Sequence, residues 1–254
     1  MKKYLVIGNP IEHSLSPKLH NFWMKKNNIN AIYEKEKILD SDLKDLIAKV
    51  QKGEISGINV TVPFKKKVID YLDQLSIGSK ITQSVNTISL NGKNLIGYNT
   101  DIDGFELAIK NINFNVLNKK ILILGAGGVV SSIIFALKKL KAQQIIVSNR
   151  TRKKAENLKN LFKDIEIINW GNVPDFDLII NATSVGLKKD DKINLDLSKI
   201  NKGKFFYDVI YNPKETNFLK EAKKLGNEIE NGKKMFIYQA AAAFELWHKI
   251  KPEI

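Results

Sequence analysis

The chain has 254 residues, of which 43% are hydrophobic and 27% are charged. This is the composition of an ordinary soluble globular protein with one large or two small domains. The absence of cysteine excludes disulfides, thiolate metal sites and a cysteine nucleophile, and it fits a reducing, cytoplasmic location. No apolar run reaches the roughly 18 residues of a membrane span, and the first one is too short for a signal peptide.

The formal net charge of +14 permits nucleic-acid binding. The lysines are scattered along the chain, however, and no RNP, zinc-finger or helix-turn-helix pattern is present. We therefore predict no nucleic-acid partner, and we expect the positive field to attract anionic small molecules.

Strand and helix signals alternate in the first part of the chain. The start predicts a strand that ends near Pro10, and Ser16 before Pro17 predicts the N-cap of a helix that runs to about Asn27. Asn91-Gly92 is the turn signal of a hairpin over 85–98. The other elements predicted here are strands over 31–38 and 57–62 and helices over about 43–52, 64–72 and 105–111.

Two of these elements carry polar side chains that could meet a ligand. Ser14 and Ser16 flank the first strand-to-helix loop, where ligands of α/β sheets bind, and two hydroxyls suit a polyol or a carboxylate. That both serines only cap the helix is an equal alternative. Asn59 and Thr61 share one strand face, so they need polar partners, of which a ligand is one.

The stretch 120–154 predicts a dinucleotide-binding unit. Four apolar residues, 121–124, form a buried strand that leads into the glycine turn 125–128, a helix to about Leu140 and a strand over 144–148. Gly125 permits the tight turn, and Gly127 lets the backbone approach a pyrophosphate at the helix N-terminus. Val130 stands where Gly or Ala is usual, which predicts slightly wider helix–strand packing. A glycine turn in another kind of α/β protein is the alternative.

The end of the second strand of this unit predicts the cofactor. An NAD site needs a carboxylate there, whereas an NADP site needs an arginine for the 2′-phosphate. Arg150 and Arg152 follow this strand, and they are the only arginines in the chain. A chain that otherwise uses lysine has placed its two bidentate phosphate-binding groups at one turn, so we predict NADP.

The remaining residues continue the alternation. Further strands are predicted over 165–168, 176–181 and 205–210, and helices over about 153–162, 215–225 and 235–250. Alternating strands and helices predict an α/β fold with right-handed crossovers and parallel sheets. The domain boundary is predicted near the helix at 105–115.

Four motifs together resemble the shikimate dehydrogenase family. Residues 9–17 are similar to the family's substrate loop, and residues 59–65 to its N-V-T-x-P-x-K motif. Residues 97–104 resemble the segment that carries the family's aspartate, and 149–151 with 181–186 resemble its cofactor-domain signatures. On sequence pattern alone, the aspartate of the third segment, Asp101, is explained equally as helix capping.

The resemblance implies roles for individual residues. Lys65 and Asp101 are implied as the catalytic pair, in which Asp101 orients Lys65 and shares its proton. The implied substrate contacts are Ser14, Ser16, Thr61, Asn86, Asp101, Tyr211 and Gln239. The cofactor contacts, from the glycine turn, the arginine turn and the later signatures, are Gly125, Ala126, Gly127, Gly128, Val129, Asn149, Arg150, Thr151, Arg152, Lys153, Lys154, Thr183, Val209 and Gly232.

The resemblance also implies the architecture and the reaction. Residues 1–104, completed by 235–254, form an N-terminal α/β substrate domain to which the last helix returns. Residues 105–234 form a Rossmann-type, doubly wound NADP-binding domain. The implied activity is the reversible NADPH-dependent reduction of 3-dehydroshikimate to shikimate, a cytoplasmic step of the chorismate and aromatic amino acid pathway. It needs no metal and no membrane, and the implied assembly is a monomer or a homodimer.

Some residues depart from the family pattern, and other functions stay open. Gln83-Ser84 stands where the family has Gly-Ala, so the loop before Asn86 is expected to differ. The alternatives are a paralogue that uses quinate or NAD and a non-catalytic NADP-binding regulator, which would be expected to lose Lys65 or Asp101. His13 and His20 are predicted to hold loop geometry, and His248 is predicted to be a surface or capping residue.

Overall fold

The computed structural model describes residues 1–112, 114–198 and 200–254. It divides into two compact units, one formed by Met1–Gly104 with Ile237–Ile254 and the other by Phe105–Phe236. Asn113, which falls in the stretch where the boundary is predicted, lies outside the described residues. The fold is α/β, as the sequence predicts.

The first unit is built on a mixed sheet. Strand β1 is parallel to both β2 and β3, whereas β5 is antiparallel to β3 and β6 as the arms of the predicted hairpin. The expectation of a purely parallel sheet is therefore wrong for this unit. Among the described residues the strands are, in sheet order, β2 (Ala31–Lys37), β1 (Lys2–Gly8), β3 (Gly57–Val60), β5 (Thr87–Asn91), β6 (Asn94–Tyr98) and β4 (Gln74–Leu75).

Helices cover both faces of this sheet. Alternate side chains of β1 point to opposite faces, so Leu5 and Ile7 enter one buried cluster and Tyr4 and Val6 enter another. The first cluster contains the apolar side of α2, and the second contains Trp23 of α1 with residues of α8. The helices are α1 (Ser16–Lys26), α2 (Leu43–Gln51), α3 (Ile77–Thr82), α4 (Thr100–Lys110) and α8 (Lys233–His248), of which α4 and α8 contribute residues to both units.

The second unit is built on an all-parallel sheet. Successive strands run outward from β7 in one direction and from β10 in the other, which is the doubly wound order with its switch point between these two strands. Ligands of such sheets bind outside the carboxyl ends of the strands at this point. The strands, in sheet order, are β12 (Glu228–Asn231), β11 (Phe205–Asp208), β10 (Leu178–Asn181), β7 (Lys120–Leu124), β8 (Gln144–Ser148) and β9 (Glu166–Ile168).

The helices of the second unit follow their strands closely. Helix α5 (Val130–Lys139) comes directly after the glycine turn, α6 (Arg152–Leu161) after β8 and α7 (Asn217–Lys224) after β11. The core of this sheet contains Leu122 and Leu124 of β7 with aromatic residues of β11 and α7. The carboxyl ends of β7 and β8 therefore present the glycine turn and the arginine turn at one edge.

The prediction of a helix over 64–72 is wrong. Residues 62–66 form turns, and only Lys67–Tyr71 is helical, as a 3₁₀ segment. The carbonyl of Lys65 accepts the N–H of Val85 at 2.9 Å, so it does not serve an α-helical bond to Ile69, whose N–H bonds to Lys66 instead. The Val68 N–H still bonds to the Phe64 carbonyl at 3.0 Å, but this turn continues only as the 3₁₀ segment.

Other element boundaries also differ from the predictions. Helix α4 begins at Thr100 rather than near Phe105, so Asp101 lies in its first turn. Ser16 is the first residue of α1 and not its N-cap, which is Leu15. The sequence analysis missed β4, α3 and β12, which are short. Within the described ranges, no helix has the length and apolar character that crossing a membrane requires.

Candidate active site

An ion pair lies at the carboxyl-end region of the first unit's sheet. The Lys65 ammonium is 2.5 Å from Oδ2 of Asp101, and the two side chains are only 12% and 9% exposed. Lysine and aspartate are rarely buried to this degree unless they are paired. The structure therefore brings together the two residues that the motif resemblance selects as a catalytic pair.

Local structure positions each member of this pair. Lys65 follows Phe64, which is 1% exposed. The Lys65 carbonyl accepts a hydrogen bond from the Val85 N–H. Asp101 lies in the first turn of α4, where the positive end of the helix dipole favours a carboxylate. Both side chains are thus held by backbone that is itself anchored.

Asn86 connects the ion pair to the helix start. Its Nδ2 donates to Oδ1 of Asp101 and to Oγ1 of Thr100, each at 3.0 Å. Its Oδ1 accepts the backbone N–H of Thr100 at 2.8 Å and the Thr87 hydroxyl at 3.1 Å. Each oxygen of Asp101 therefore has a different partner, Asn86 on one side and Lys65 on the other.

A second part of the network extends away from the pair. The Asn59 amide donates to the Asn86 carbonyl at 3.0 Å and to the Thr87 hydroxyl at 2.9 Å. The Tyr33 phenol donates to Asn59 Oδ1 at 2.6 Å. Burial raises the pKa of Tyr33 well above its ordinary value, so the phenol is neutral. Hydrogen bonds within the protein therefore satisfy the Asn59 side chain, for which the sequence analysis named a ligand as one possible partner.

Of the remaining residues predicted for substrate in this unit, Gln239 contacts this network. Ser14 is half-buried, and its Oγ accepts the backbone N–H of Ser16 at 3.3 Å. Thr61 is half-buried and follows β3, where its N–H bonds to Ile7. The Gln239 side chain of α8 accepts from Asn86 Nδ2 at 3.5 Å. Gln239 is thus connected to the lysine–aspartate pair through Asn86.

The glycine turn of the second unit is shaped for a close approach. Gly125 has φ +112°, and a Cβ there would lie 2.8 Å from the Ala182 carbonyl oxygen. Next to Gly127, by contrast, a Cβ would meet nothing nearer than 4.0 Å, and the residue is exposed. The space beside the N-terminus of α5 is therefore open to a pyrophosphate, which fits a dinucleotide. Ala126, Gly128 and Val129 complete the turn.

The two arginines differ in their surroundings. Arg152 pairs with Glu156 at 3.2 Å and donates from Nη1 to Asn169 at 2.7 Å. Arg150 is exposed, and it has no ion-pair partner among residues 1–112, 114–198 and 200–254. The Arg150 guanidinium is therefore exposed, whereas that of Arg152 is already paired. The neighbouring residues of this turn, all exposed or half-buried, are Asn149, Thr151, Lys153 and Lys154.

A buried carboxylate holds the loops after β10 and β11. Asp208 is 0% exposed, and it accepts from Asn181 Nδ2 at 3.1 Å, the Ile210 N–H at 2.9 Å and the Thr216 hydroxyl at 2.6 Å. Burial is the main cause that raises the pKa of Asp208. Asn181 in turn accepts the Thr183 hydroxyl at 2.7 Å. The loop that carries Thr183, a predicted cofactor residue, is thereby fixed.

The other residues predicted from the family signatures lie in the same unit. A Cβ on Gly232 would lie 2.0 Å from the Val209 carbonyl oxygen, so only glycine fits there. Tyr211 stacks on Phe236 with a centroid distance of 4.7 Å, and burial raises the pKa of its phenol. Val209 and Gly232 are therefore neighbours, at the ends of β11 and β12.

His20 is buried beside the apolar cluster of the first unit, and His248 is half-buried there. The His20 ring stacks on Tyr33 at 4.3 Å, and that of His248 lies 4.3 Å from Phe244. Burial lowers the pKa of His20 to about 3 and that of His248 to about 4. A surface or capping role was predicted for His248, whose half-buried ring contacts Tyr4 of β1 and Phe244 of α8.

Sequence profiles of known families match the chain in three parts. Residues 6–88 match the shikimate dehydrogenase substrate binding domain, and residues 106–215 match the shikimate / quinate 5-dehydrogenase profile. Residues 234–254 match the shikimate 5′-dehydrogenase C-terminal domain. The chain belongs to the shikimate dehydrogenase family.

Similarity to individual members of the shikimate dehydrogenase family extends over the whole chain. The shikimate dehydrogenase (NADP(+)) of Pelagibacter ubique (strain HTCC1062) is 61% identical over 253 residues, which cover 100% of this chain and 96% of that protein. The same enzyme of Caldicellulosiruptor saccharolyticus is 39% identical, covering 98% and 93%. A crystal structure of the Thermus thermophilus enzyme with NADP(H) and shikimate has a TM-score of 0.91 at 31% identity, covering 100% and 95%.

The sequence analysis did not identify several residues whose hydrogen bonds hold the predicted site residues of the two units. Tyr33 looked like an apolar strand residue, Thr87 like one arm of a hairpin, and Asp208 like the end of a strand. Their partners are distant in sequence, 26 residues from Tyr33 to Asn59 and 27 from Asn181 to Asp208. The one sequence signal that indicates these residues is a polar side chain in an otherwise apolar strand.

Proposed function

We propose that this protein is an NADP-dependent shikimate dehydrogenase that reduces 3-dehydroshikimate to shikimate, reversibly, in the chorismate and aromatic amino acid pathway. The observation that carries the proposal is the buried Lys65–Asp101 pair, at 2.5 Å, in a chain that belongs to this family along its length. The names of relatives support it, since the proteins at 61% and 39% identity are shikimate dehydrogenases (NADP(+)).

Lys65 and Asp101 provide the acid–base chemistry. NADPH, when bound, supplies a hydride to the C3 carbonyl of the substrate. The oxygen of that carbonyl then needs a proton, which the Lys65 ammonium donates while it stabilises the developing negative charge. Asp101 orients the ammonium and compensates its charge. In the reverse direction, Lys65 takes the proton from the C3 hydroxyl.

The second unit offers the groups that a dinucleotide requires. The open space beside Gly127 and the N-terminus of α5 would receive the pyrophosphate. The exposed guanidinium of Arg150 would bind the 2′-phosphate, with Arg152 as its neighbour. The loop 181–186, held by Asp208, and the Val209–Gly232 pair lie at the carboxyl edge of the same sheet. These residues supply binding and orientation, and the redox chemistry belongs to the cofactor.

The first unit offers a polyhydroxy substrate several polar partners. We assign the hydroxyls of Ser14, Ser16 and Thr61 and the amides of Asn86 and Gln239 to the carboxylate and hydroxyls of shikimate, because Asn86 bonds to Asp101 and Gln239 bonds to Asn86. We add Tyr211 of the second unit to this set by family position. The protein is expected to act in the cytoplasm as a monomer or homodimer without a nucleic-acid partner.

Absorbance of the reduced dinucleotide tests the proposal directly. Purified protein is mixed with NADP⁺ and shikimate, and parallel reactions replace shikimate by quinate, NADP⁺ by NAD⁺, or both. We expect turnover with shikimate and NADP⁺ to exceed the other three combinations. Faster turnover of quinate would assign the protein to the quinate-using alternative, and no turnover in any combination would favour the non-catalytic regulator.

A further inference from the structure

Asn181 ends β10, and its side chain holds the loop that follows. The Asn181 Oδ1 accepts the Thr183 N–H at 3.1 Å and the Thr183 hydroxyl at 2.7 Å. The Asn181 Nδ2 donates to the Val185 carbonyl at 3.1 Å, and the Val185 N–H donates to the Thr183 hydroxyl at 3.0 Å. One buried amide therefore fixes the backbone of the loop 181–186, as long as its oxygen faces Thr183.

Asp208 determines which way the Asn181 amide faces. Each oxygen of the Asp208 carboxylate lies 3.1 Å from Asn181 Nδ2, and both residues are 0% exposed. Because a carboxylate accepts hydrogen bonds and an amide NH₂ donates them, Asp208 keeps the amide nitrogen on its own side and leaves the amide oxygen for Thr183. A turned amide would place two donors, its nitrogen and the Thr183 N–H, against each other.

The other hydrogen bonds of Asp208 reach the far end of the same loop. The carboxylate accepts the Ile210 N–H at 2.9 Å and the Thr216 hydroxyl at 2.6 Å. Gly186 ends the loop with φ +119°, and a Cβ there would lie 3.1 Å from Thr216 Cγ2 and 3.2 Å from Ile210 Cδ1. The two residues that Asp208 holds therefore pack against Gly186, so one carboxylate organises both ends of the loop 181–186.

The loop 181–186 lies directly against the glycine turn. The Ala182 N–H donates to the Leu124 carbonyl at 2.8 Å. A Cβ on Gly125 would lie 2.8 Å from the Ala182 carbonyl oxygen and 3.1 Å from Thr183 Cγ2. This is the switch point between β7 and β10, where dinucleotides bind in doubly wound sheets. The loop therefore forms one side of the site that we assign to the dinucleotide.

We propose that Asp208 is a positioning residue for dinucleotide binding, which acts through the Asn181 amide on the loop 181–186. The inference deepens the proposed function and rests on it, because the ligand is the dinucleotide assigned to the second unit. Asp208 is itself fully buried, so it acts without touching the dinucleotide. Arg150 follows β8, on the opposite side of β7 from β10, so loss of Asp208 weakens binding with or without a 2′-phosphate on the ligand.

Calorimetric titration of Asp208→Asn with NADPH and with NADH tests this role. The substitution keeps the shape of the side chain but replaces one acceptor oxygen by an NH₂ group, which faces the donors that Asp208 holds. We expect the Kd for both dinucleotides to rise by the same factor, roughly three- to tenfold, the loss typical of one hydrogen bond. At saturating NADP⁺, the KM for shikimate should stay within about twofold of wild type. A loss confined to NADPH would overturn the proposal.

Asp177→Asn is the matched control, because Asp177 lies directly before β10, at the opposite end of the strand from Asn181. The Asp177 Oδ2 accepts the Lys120 N–H at 2.9 Å, so this carboxylate also holds backbone of the same sheet. We expect Asp177→Asn to leave the Kd for both dinucleotides unchanged. If Asp177→Asn weakened binding as much as Asp208→Asn, general loosening of β10 would explain both results and the proposal would be wrong.

Thr216 keeps the proposal testable where Asp208→Asn folds poorly. Thr216→Val removes the hydroxyl that donates to Asp208 and keeps a methyl group beside Gly186, whereas Thr216→Ser keeps the hydroxyl. We expect Thr216→Val to raise the Kd for both dinucleotides roughly two- to fivefold, and Thr216→Ser to stay within about twofold of wild type. Equal affinities of these two variants would contradict a route through Asp208.

The outcomes separate this inference from the proposed function. Wild-type protein that binds NADPH but does not oxidise shikimate would reject the proposed function, and the calorimetric comparison would still decide the role of Asp208. Wild-type turnover, with an unchanged Kd for both dinucleotides in folded Asp208→Asn, would reject the positioning role alone. A purely structural role would lower the unfolding midpoint of Asp208→Asn without changing either Kd, and this result would reject the proposal too.

Discussion

The Asn86 amide nitrogen lies 3.0 Å from Oδ1 of Asp101, while the Lys65 ammonium lies 2.5 Å from Oδ2 of the same carboxylate. The carboxylate is therefore held from both sides, and Asn86 is held in turn by Thr100 at the start of α4. A catalytic group that is fixed in this way needs little reorganisation during proton transfer. The first predictions concern this arrangement.

Lys65→Ala should lower kcat by about 10²- to 10⁴-fold, the usual contribution of a positioned acid–base group. NADPH binding should be nearly unchanged, because the residues assigned to the dinucleotide belong to the second unit. The neighbouring Lys66→Ala is the control, since Lys66 is exposed and should not affect turnover. Full turnover by Lys65→Ala would remove Lys65 from the mechanism. Stopped-flow and steady-state absorbance measure these rates.

Asn86→Ala should lower the free energy of unfolding by about 1–3 kcal/mol, because the buried Thr100 N–H loses its acceptor. Urea unfolding followed by the fluorescence of Trp23 and Trp247, both in the first unit, measures this change. Asn157→Ala, at an exposed position on α6, should cause no loss. Equal stability of Asn86→Ala and wild type would show that this network contributes little to folding.

Arg150→Ala should weaken NADPH binding more than NADH binding, by about 1–3 kcal/mol, the range for hydrogen bonds to a charged group. Arg152→Ala should have a smaller selective effect, because Glu156 and Asn169 already occupy that guanidinium. Calorimetric titration of both cofactors measures the difference. If Arg150→Ala weakened both dinucleotides equally, the 2′-phosphate role would be wrong.

His20 should make the protein less stable in mild acid. Burial, with a smaller effect of His248, lowers the pKa of His20 to about 3, whereas the unfolded chain protonates near pH 6.5. Below pH 6.5, His20 binds a proton in the unfolded state but not in the folded state. The free energy of unfolding therefore falls as pH falls, until the pKa of His20 in the folded state is reached. At pH 5 the loss due to His20 is about 2 kcal/mol.

His20→Phe isolates this effect, because it keeps the ring that stacks on Tyr33 and removes the titrating group. Between pH 7.5 and pH 5, its free energy of unfolding in urea should fall by about 2 kcal/mol less than that of wild type. Identical pH dependence in the two proteins would mean that His20 is not held neutral.

Lys141→Gly should stabilise the protein. Lys141 has φ +60° after α5, and the N–H of Ala142 bonds back to the Leu137 carbonyl. Gly226 occupies the same position after α7 with φ +79°. Glycine removes the strain of a lysine in the left-handed region, and this gain should exceed the conformational entropy that glycine loses on folding. The free energy of unfolding should therefore rise by about 0.5–1 kcal/mol.

Lys159→Gly, inside α6, is the matched control for this substitution. It should lower stability by about 1 kcal/mol, because glycine is a poor helix former. A lower thermal midpoint for both lysine-to-glycine variants would contradict the strain at Lys141.

Strong local patterns predicted most of the second unit from sequence. The apolar run before Gly125 gave β7, the glycine turn gave the start of α5, and the next apolar run gave β8, with boundaries within one or two residues. Each of these signals is local, so no tertiary contact had to be known. By contrast, β12 has the sequence Glu-Ile-Glu-Asn and is an edge strand, and its pairing with β11 outweighs its weak strand propensity.

The segment after Pro63 shows where local patterns fail. Phe64 and Val68 are both buried at a spacing of four, which is typical of a helix. The decisive contact is the bond from Val85 to the Lys65 carbonyl, and no property of residues 64–72 indicates it. The choice of Lys65 among three successive lysines likewise came from family resemblance, not from spacing. Its contact with Asp101 joins residues 36 apart in sequence.

The apolar cluster that contains Tyr4, Trp23 and Phe244 draws on both ends of the chain, and the Trp23 indole also donates to the Glu253 carbonyl at 3.1 Å. Residues 105–236 form an uninterrupted unit between these ends. During translation, the middle unit therefore leaves the ribosome complete while the first one still lacks α8. Lys65 is among the earlier residues to be made, but the unit that contains it can close only after α8 has emerged.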